Sequence, residues 1–284
     1  MLQAVKAIPF QRLNDIVAVL DHGITAKSIA SSISSSAPES NRKVGEVRAF
    51  MKQSGFDRVA IVQSAHIIGY VDIEHLNDCK TGDPIGVHAR PFEPRLLVSD
   101  ETPLPVVLRR MKDQPAVFLV GSDGIDGIIT HADLEKQCMR VYLFGLVSLL
   151  EQELCKTMEE LSCQAVLDAI YNSSARDRFE RDFNQKRTAG DELAPIYYAT
   201  LGTKRDLILA DDKYWKSMGS IRRVVAEKLA SVLDLRNALD HVNLLSGSIL
   251  SWSSLCEAVE NVTGIIESLE MAAQPVTVAV DASV

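Results

Sequence analysis

Residues 47–76 read VRAFMKQSGFDRVAIVQSAHIIGYVDIEHL and residues 106–134 read VVLRRMKDQPAVFLVGSDGIDGIITHADL. The two stretches share one plan. Each has an amphipathic helix ending in Met-Lys, then two β-branched strands joined by a tight turn, with Gly69 or Gly127 toward the end of the second strand. Hydrophobic periodicity predicts a helix over 44–53, strands over 58–63 and 67–71, and a short helix from Asp72. In the second copy it predicts a helix over 104–112, a strand over 116–120, a turn at Gly121-Ser122-Asp123-Gly124, a strand over 125–130 and a helix from Ala132. Self-similarity of this kind means one supersecondary unit present twice.

On either side the pattern changes. Leu13, Ile16, Val17 and Leu20 share one face of a short helix over 11–20. The serine-rich stretch 28–40 offers little to bury and reads as a flexible loop or an embellished connection. Beyond Asp133 the periodicity is helical, over 134–158, 163–183, 193–201, 220–245 and 252–271, punctuated by Pro195, Gly202 and Gly219. Residues 273–284 carry no cap signal and read as a tail.

With 284 residues the chain is long enough for two or three domains. A net charge of -8 excludes broad, charge-driven nucleic-acid binding. Residues 176–236, with 13 Lys and Arg against 10 Asp and Glu, are locally basic, as a solvated mixed-charge surface also is. The cysteines Cys79, Cys138, Cys155, Cys163 and Cys256 are odd in number and lack a CxxC pair, so neither a disulfide framework nor a zinc site is expected. His22, His66, His75 and His88 stand at spacings that suggest no ligand set, and no metal is expected. The apolar run 141–150 is too short to span a bilayer, and Lys6, Arg12, Asn14 and Asp15 argue against a signal peptide. A cytoplasmic protein with no membrane partner is expected.

The repeat resembles a tandem of CBS domains, the cystathionine-beta-synthase-type modules, over roughly residues 21–140. Thr25-Ala26-Lys27-Ser28-Ile29 resembles the segment that leads into the first module. The resemblance implies an α+β architecture. A CBS pair of the Bateman type (repeats 21–82 and 83–140, after an N-terminal helix over 1–20) would pack sheet to sheet, with up to two clefts for adenosine-containing ligands. An all-α bundle over 141–272 would follow.

Gly127-Ile128-Ile129-Thr130-His131-Ala132-Asp133 matches the CBS ligand pattern of Gly, two apolar residues, Ser/Thr, two residues, then Asp. A hydroxyl from Thr130 and a carboxylate from Asp133 suit a vicinal ribose diol. By resemblance, Ala116, Val117 and the segment ending at Thr102 would flank the base, and ATP, ADP, AMP or S-adenosylmethionine would be the effector rather than a required cofactor. The same Thr-x-x-Asp spacing is also a helix N-cap arrangement. In the first repeat Asp72 replaces Thr and His75 replaces Asp, so that cleft is expected to be empty.

Within the helical half, Arg236-Asn237-Ala238-Leu239-Asp240-His241 places a cation and an imidazole close together. The arrangement resembles the motif of HEPN domains, the higher eukaryote and prokaryote nucleotide-binding helical domains. That resemblance implies a metal-independent ribonuclease with a homodimer bringing two motifs together. His241 would act as general acid–base, Arg236 would stabilise the transferring phosphoryl group, and Asn237 would orient His241 or the phosphate. RNA cleavage would leave a 2',3'-cyclic phosphate. On a straight helix Arg236 and His241 lie about 140° apart, so one helix alone cannot converge them on one phosphate. The same residues also read as an Arg236–Asp240 ion pair with His241 at a helix C-terminus. Two functions follow: a nucleotide-sensing CBS pair controlling a HEPN-type ribonuclease, or a non-enzymatic CBS regulator whose helices dimerise or dock a partner.

Overall fold

The computed structural model describes residues 13–33, 37–240 and 251–273. The chain divides into two compact units, one of residues 19–142 and one of residues 143–284 together with 1–18. Helix α1 (Leu13–Gly23) precedes the repeats.

In the 19–142 unit, α2 (Ala26–Ile29) and β1 (Ser31–Ser32) lead into the first repeat. That repeat comprises α3 (Val44–Ser54), β2 (Arg58–Gln63), β3 (His66–Asp72) and α4 (Ile73–Leu76). The second comprises β4 (Leu97–Ser99), α5 (Leu104–Met111), β5 (Ala116–Gly121), β6 (Gly124–Thr130) and a 3-10 turn at His131–Glu135. Sheet order is β1-β6-β5-β4, with β4 parallel to β5 and the other neighbours antiparallel. The β2-β3 hairpin is edged by single bridges, Glu39 parallel to Val62 and Tyr70 antiparallel to Arg90. Those two bridges reproduce, in reduced form, the places of β4 and β1 in the other sheet.

Both hairpins shift register at the same point, between Ile61 and Val62 and between Leu119 and Val120. The repeated glycines stand where another segment comes close. A Cβ on Gly69 would lie 2.5 Å from the Arg90 carbonyl oxygen, and one on Gly127 would lie 3.0 Å from the Leu119 Cβ and 3.4 Å from the Ala30 Cβ. Strand alternation then divides the core. Val59, Ile61 and Val71 pack with Val44, Val47 and Met51 of α3, while Ala60, Tyr70 and Phe118 form a second cluster with Ile33 and Leu96. Tyr70, Phe92 and Phe118 meet within that cluster at ring-centroid distances of 4.8 to 5.7 Å. Residues from both repeats share it, so one buried aromatic cluster joins the two sheets.

Two expectations for this unit are corrected. The serine-rich stretch is not simply a loop: Ser31 and Ser32 pair with Ile128 and Gly127. Ile29 and Ile33, both buried, supply the apolar surface the serines lack. No long helix starts at Leu134 either. Lys136 is extended (φ -64°, ψ 151°), so the 3-10 turn stops and α6 (Gln137–Thr157) starts afresh.

The helical unit contains α7 (Cys163–Asp168), α8 (Ser173–Thr188), a 3-10 turn at Pro195–Tyr198, α9 (Leu201–Ala210), α10 (Asp212–Ser217), α11 (Arg222–Asp240) and α12 (Trp252–Ala273). Side-chain caps set its breaks. Asn172 accepts from the Ala175 amide and splits the helix expected over 163–183 in two. Thr200 accepts from the Thr203 amide and starts α9 just where a helix was expected to end, so Gly202 is helical. Val225, Leu229 and Val232 form a buried stripe on α11, and Ala258, Val262 and Ile265 form one on α12. Asn261 donates to the Ser231 hydroxyl across that pair at 2.8 Å. Among the described residues no helix is long and apolar enough to cross a membrane.

Candidate ligand site

Thr130 ends β6 and Asp133 lies one turn on, so the motif spans a strand-to-turn junction. Both are drawn into one hydrogen-bonded knot. Asp133 Oδ2 accepts from the Thr130 amide at 2.7 Å and from Thr130 Oγ1 at 2.8 Å, which completes a capping box. Its Oδ1 accepts from Ser31 Oγ at 2.5 Å and faces Lys136 Nζ at 2.8 Å. Lys136 also donates to the carbonyls of Ile29 and Ala30 and to Ser31 Oγ. Burial opposes the charge on Asp133, but these donors outweigh it and hold its pKa below the ordinary carboxylate value. The group is therefore an acceptor-only carboxylate at neutral pH.

Around this knot lies a cleft of about 350 Å³. Its walls include Ile33, Phe56, Val59, Ala60 and Ile128, with the hydroxyls of Ser31, Ser32 and Thr130 beside Asp133. Phe56 is exposed and adds an aromatic side chain to the cleft wall. The three other sequence-expected site residues lie elsewhere. Ala116 and Val117 are buried in β5, where the Ala116 carbonyl accepts from Arg58 Nη1 at 3.1 Å. Thr102 bonds Ser99 through its hydroxyl and Ala26 through its carbonyl. Register gives the reason: β1 pairs with β6 on the Thr130 side, while β4 pairs with the far edge of β5. Ser31, Ile33 and Phe56, rather than Ala116, Val117 or Thr102, line the cleft beside Thr130. No sequence signal marked them, because strand pairing across 95 to 97 residues leaves none in the local pattern.

The first repeat has its own cleft, of about 580 Å³, lined by Asp57, Arg58, Asp72, Glu74, His75 and Arg90 among others. Arg58 dominates it. Its side chain is only 8% exposed, it pairs with Asp72 at 2.5 Å, and its guanidinium sits 4.8 Å above the Tyr70 ring. Asp72 also faces Arg90 at 3.3 Å, so the residue in the place of Thr130 is an ion-pair partner. Nearby, His131 is partly buried. Burial pushes its pKa down, partly offset by a hydrogen bond with the Met111 backbone and by the charge of Asp57. Folding brings together three residues that are scattered in sequence: His75, Cys79 and His88 each place one ligand atom within 4.8 Å of the others.

In the helical unit Arg236 pairs with Asp240 one turn on and lies 3.9 Å from Glu151 of α6. Asn237 is exposed near the end of α11. His241 lies outside the described residues. Beside Arg236, the buried Lys204 reaches Glu151 at 3.7 Å, and Cys155 is buried in the same neighbourhood. Burial raises the Cys155 pKa, with the Lys204 charge acting against it. Helical periodicity gave no sign that Lys204 would be buried.

No family model matches the chain, and no curated protein matches it. Several solved CBS-domain structures are similar to part of it. The CBS domains of a transcriptional regulator from Streptococcus pneumoniae are 17% identical, with a TM-score of 0.35, covering 39% of this chain and 95% of that one. The CBS domain of a bacterial CNNM/CorC family Mg2+ transporter, in complex with ATP, is 16% identical with a TM-score of 0.35, covering 43% and 92%. A CBS domain pair/ACT domain protein from Thermotoga maritima is 18% identical with a TM-score of 0.33, covering 44% and 97%.

Proposed function

We propose that residues 19–142 are a CBS-type pair that binds an adenosine-containing ligand over Thr130 and Asp133, and that the helical unit is the part this binding regulates. The observation that carries the reading is the convergence of Thr130, Asp133, Ser31 and Phe56 on one partly apolar cleft. Its aliphatic and aromatic walls suit a base, and its carboxylate and hydroxyls suit a ribose diol. Because Asp133 Oδ1 already holds the Ser31 hydroxyl, a ligand hydroxyl enters by exchange, one O–H donor for another. That exchange releases Ser31 from the knot that also holds Lys136, the residue immediately before α6. The signal then has a covalent route into the helical unit.

Thermal unfolding with ATP, ADP, AMP or S-adenosylmethionine tests this. At a ligand concentration of 100 Kd, stabilisation of about 2.7 kcal/mol is expected and should shrink in Thr130→Ala. Absence of any shift with all four ligands contradicts the reading.

For the helical unit, the two carboxylates around Arg236 favour a non-enzymatic role in dimerisation or partner docking. A ribonuclease built on Arg236, Asn237 and His241 of a homodimer is the second reading, favoured by the exposed Asn237 beside Arg236 at the end of α11. Incubation with RNA in EDTA separates them. Cleavage to 2',3'-cyclic phosphate ends that His241→Ala abolishes supports the nuclease, and intact RNA in every ligand state supports docking.

A further inference from the structure

We propose that His75, Cys79 and His88 form a binding site for a borderline-soft divalent transition ion, Zn2+ foremost, with Asp83 as the outer-shell partner of His88. The three residues come from separate local elements. His75 lies in α4, Cys79 follows it, and His88 ends a 3-10 turn at Ile85–His88. Their ligand atoms all lie within 4.8 Å of one another. Cys79 Sγ is 3.4 Å from His88 Nδ1. Zn–S and Zn–N bond lengths at a tetrahedral angle require a separation of about 3.5 Å, so this pair is already spaced to share an ion. The two imidazole rings stand edge to face, with centroids 6.5 Å apart.

The second nitrogen of His88 adds an independent observation. Its Nε2 is 3.3 Å from Asp83 Oδ2, which fixes the ring with Nδ1 turned toward Cys79. A carboxylate behind the distal nitrogen is the arrangement that orients metal-binding imidazoles and raises their basicity. The scaffold beneath is firm. Leu76 and Ile85 are fully buried beside the ligands in sequence, and Cys79 packs against their cluster. The Cys79 thiol points at the His75 carbonyl at 3.3 Å, and its proton leaves when a metal takes the sulfur. Three protein ligands with His75 exposed leave a fourth position for water.

Thiolate and imidazole together select Zn2+ or Co2+ over Mg2+ and Ca2+, which take oxygen ligands. In the repeat alignment His75 occupies the place of Asp133, and it also lines the first cleft. The substitution that removes the ribose carboxylate from that cleft thus supplies a metal ligand. Ion binding would fix the His75 ring at the cleft wall. The site stands independently of nucleotide binding in the second cleft.

Co2+ titration of the full chain, freed of metal by chelator, tests the proposal. A cobalt–thiolate charge-transfer band with d–d bands of tetrahedral intensity is expected, and Zn2+ should bleach both. Cys79→Ser should abolish the charge-transfer band. His88→Ala and His75→Ala should weaken binding, and Cys138→Ser should leave it unchanged. Asp83→Asn should weaken Zn2+ binding about 10–100-fold in a chelator competition. Circular dichroism and metal-free unfolding midpoints matching the parent chain show that the variants fold. A parent chain without the band, or a band that persists in a folded Cys79→Ser variant, overturns the proposal.

Discussion

Single residues show how much of this structure hangs on a few local decisions. Asp133, 4% exposed, accepts bonds from two repeats' worth of chain, and its charge is what Ser31, Thr130 and Lys136 are organised around. Folding lowers its pKa, so its contribution to stability is complete above the ordinary carboxylate value near 3.9 and is lost as pH falls through the lower folded value. Asp133→Asn should therefore be less stable than the parent at neutral pH, with the gap closing in acid. Urea unfolding from pH 7 downward reads this, and a gap independent of pH would contradict it. At the β2-β3 turn, Ser64 and Ala65 both adopt left-handed backbone (φ 50° and 65°). The geometry suits a hairpin, but side chains there are strained. Ala65→Gly should stabilise the fold by about 0.5–1 kcal/mol, and a lower urea midpoint would refute that account.

At the level of elements, the hairpins and the Thr130–Asp133 capping box were legible, and the caps inside the helical unit were not. β2 keeps its sequence-predicted bounds, because its alternating apolar residues serve two cores at once. The helical breaks at Asn172 and Thr200 escaped notice, since each depends on one side-chain oxygen reaching one amide. β1 escaped for a different reason: two serines become a strand only because β6 offers them partners. Packing between α6 and α9 makes a further prediction. Lys204, 3% exposed, depends on Glu151 for its counter-charge. Glu151→Gln strands that ammonium and should cost about 1–3 kcal/mol. Lys204→Met, which removes the buried charge itself, should cost less than Glu151→Gln. Equal losses in the two variants, measured by urea unfolding, would rule out the buried-charge explanation.

Across the whole molecule, the sequence repeat reappears as two hairpins with matching register shifts, matching glycines and one shared aromatic cluster. Thr130 and Asp133 were legible as a pair because they are close in the chain. Ser31, Phe56 and Arg58 were not, because the clefts are assembled from segments far apart in sequence. The difference matters for the proposed function, in which an incoming ligand hydroxyl takes the place of Ser31 on Asp133. Calorimetric titration of ATP, ADP, AMP and S-adenosylmethionine into the parent chain and into Ser31→Ala tests that claim most directly. Removing the competing hydroxyl leaves one acceptor of Asp133 open, worth roughly 1 kcal/mol to an incoming diol, or about fivefold in affinity. At least one of the four ligands should bind the parent and bind Ser31→Ala several-fold more tightly. Equal or weaker binding to a folded Ser31→Ala chain, or no binding to either, would contradict the account.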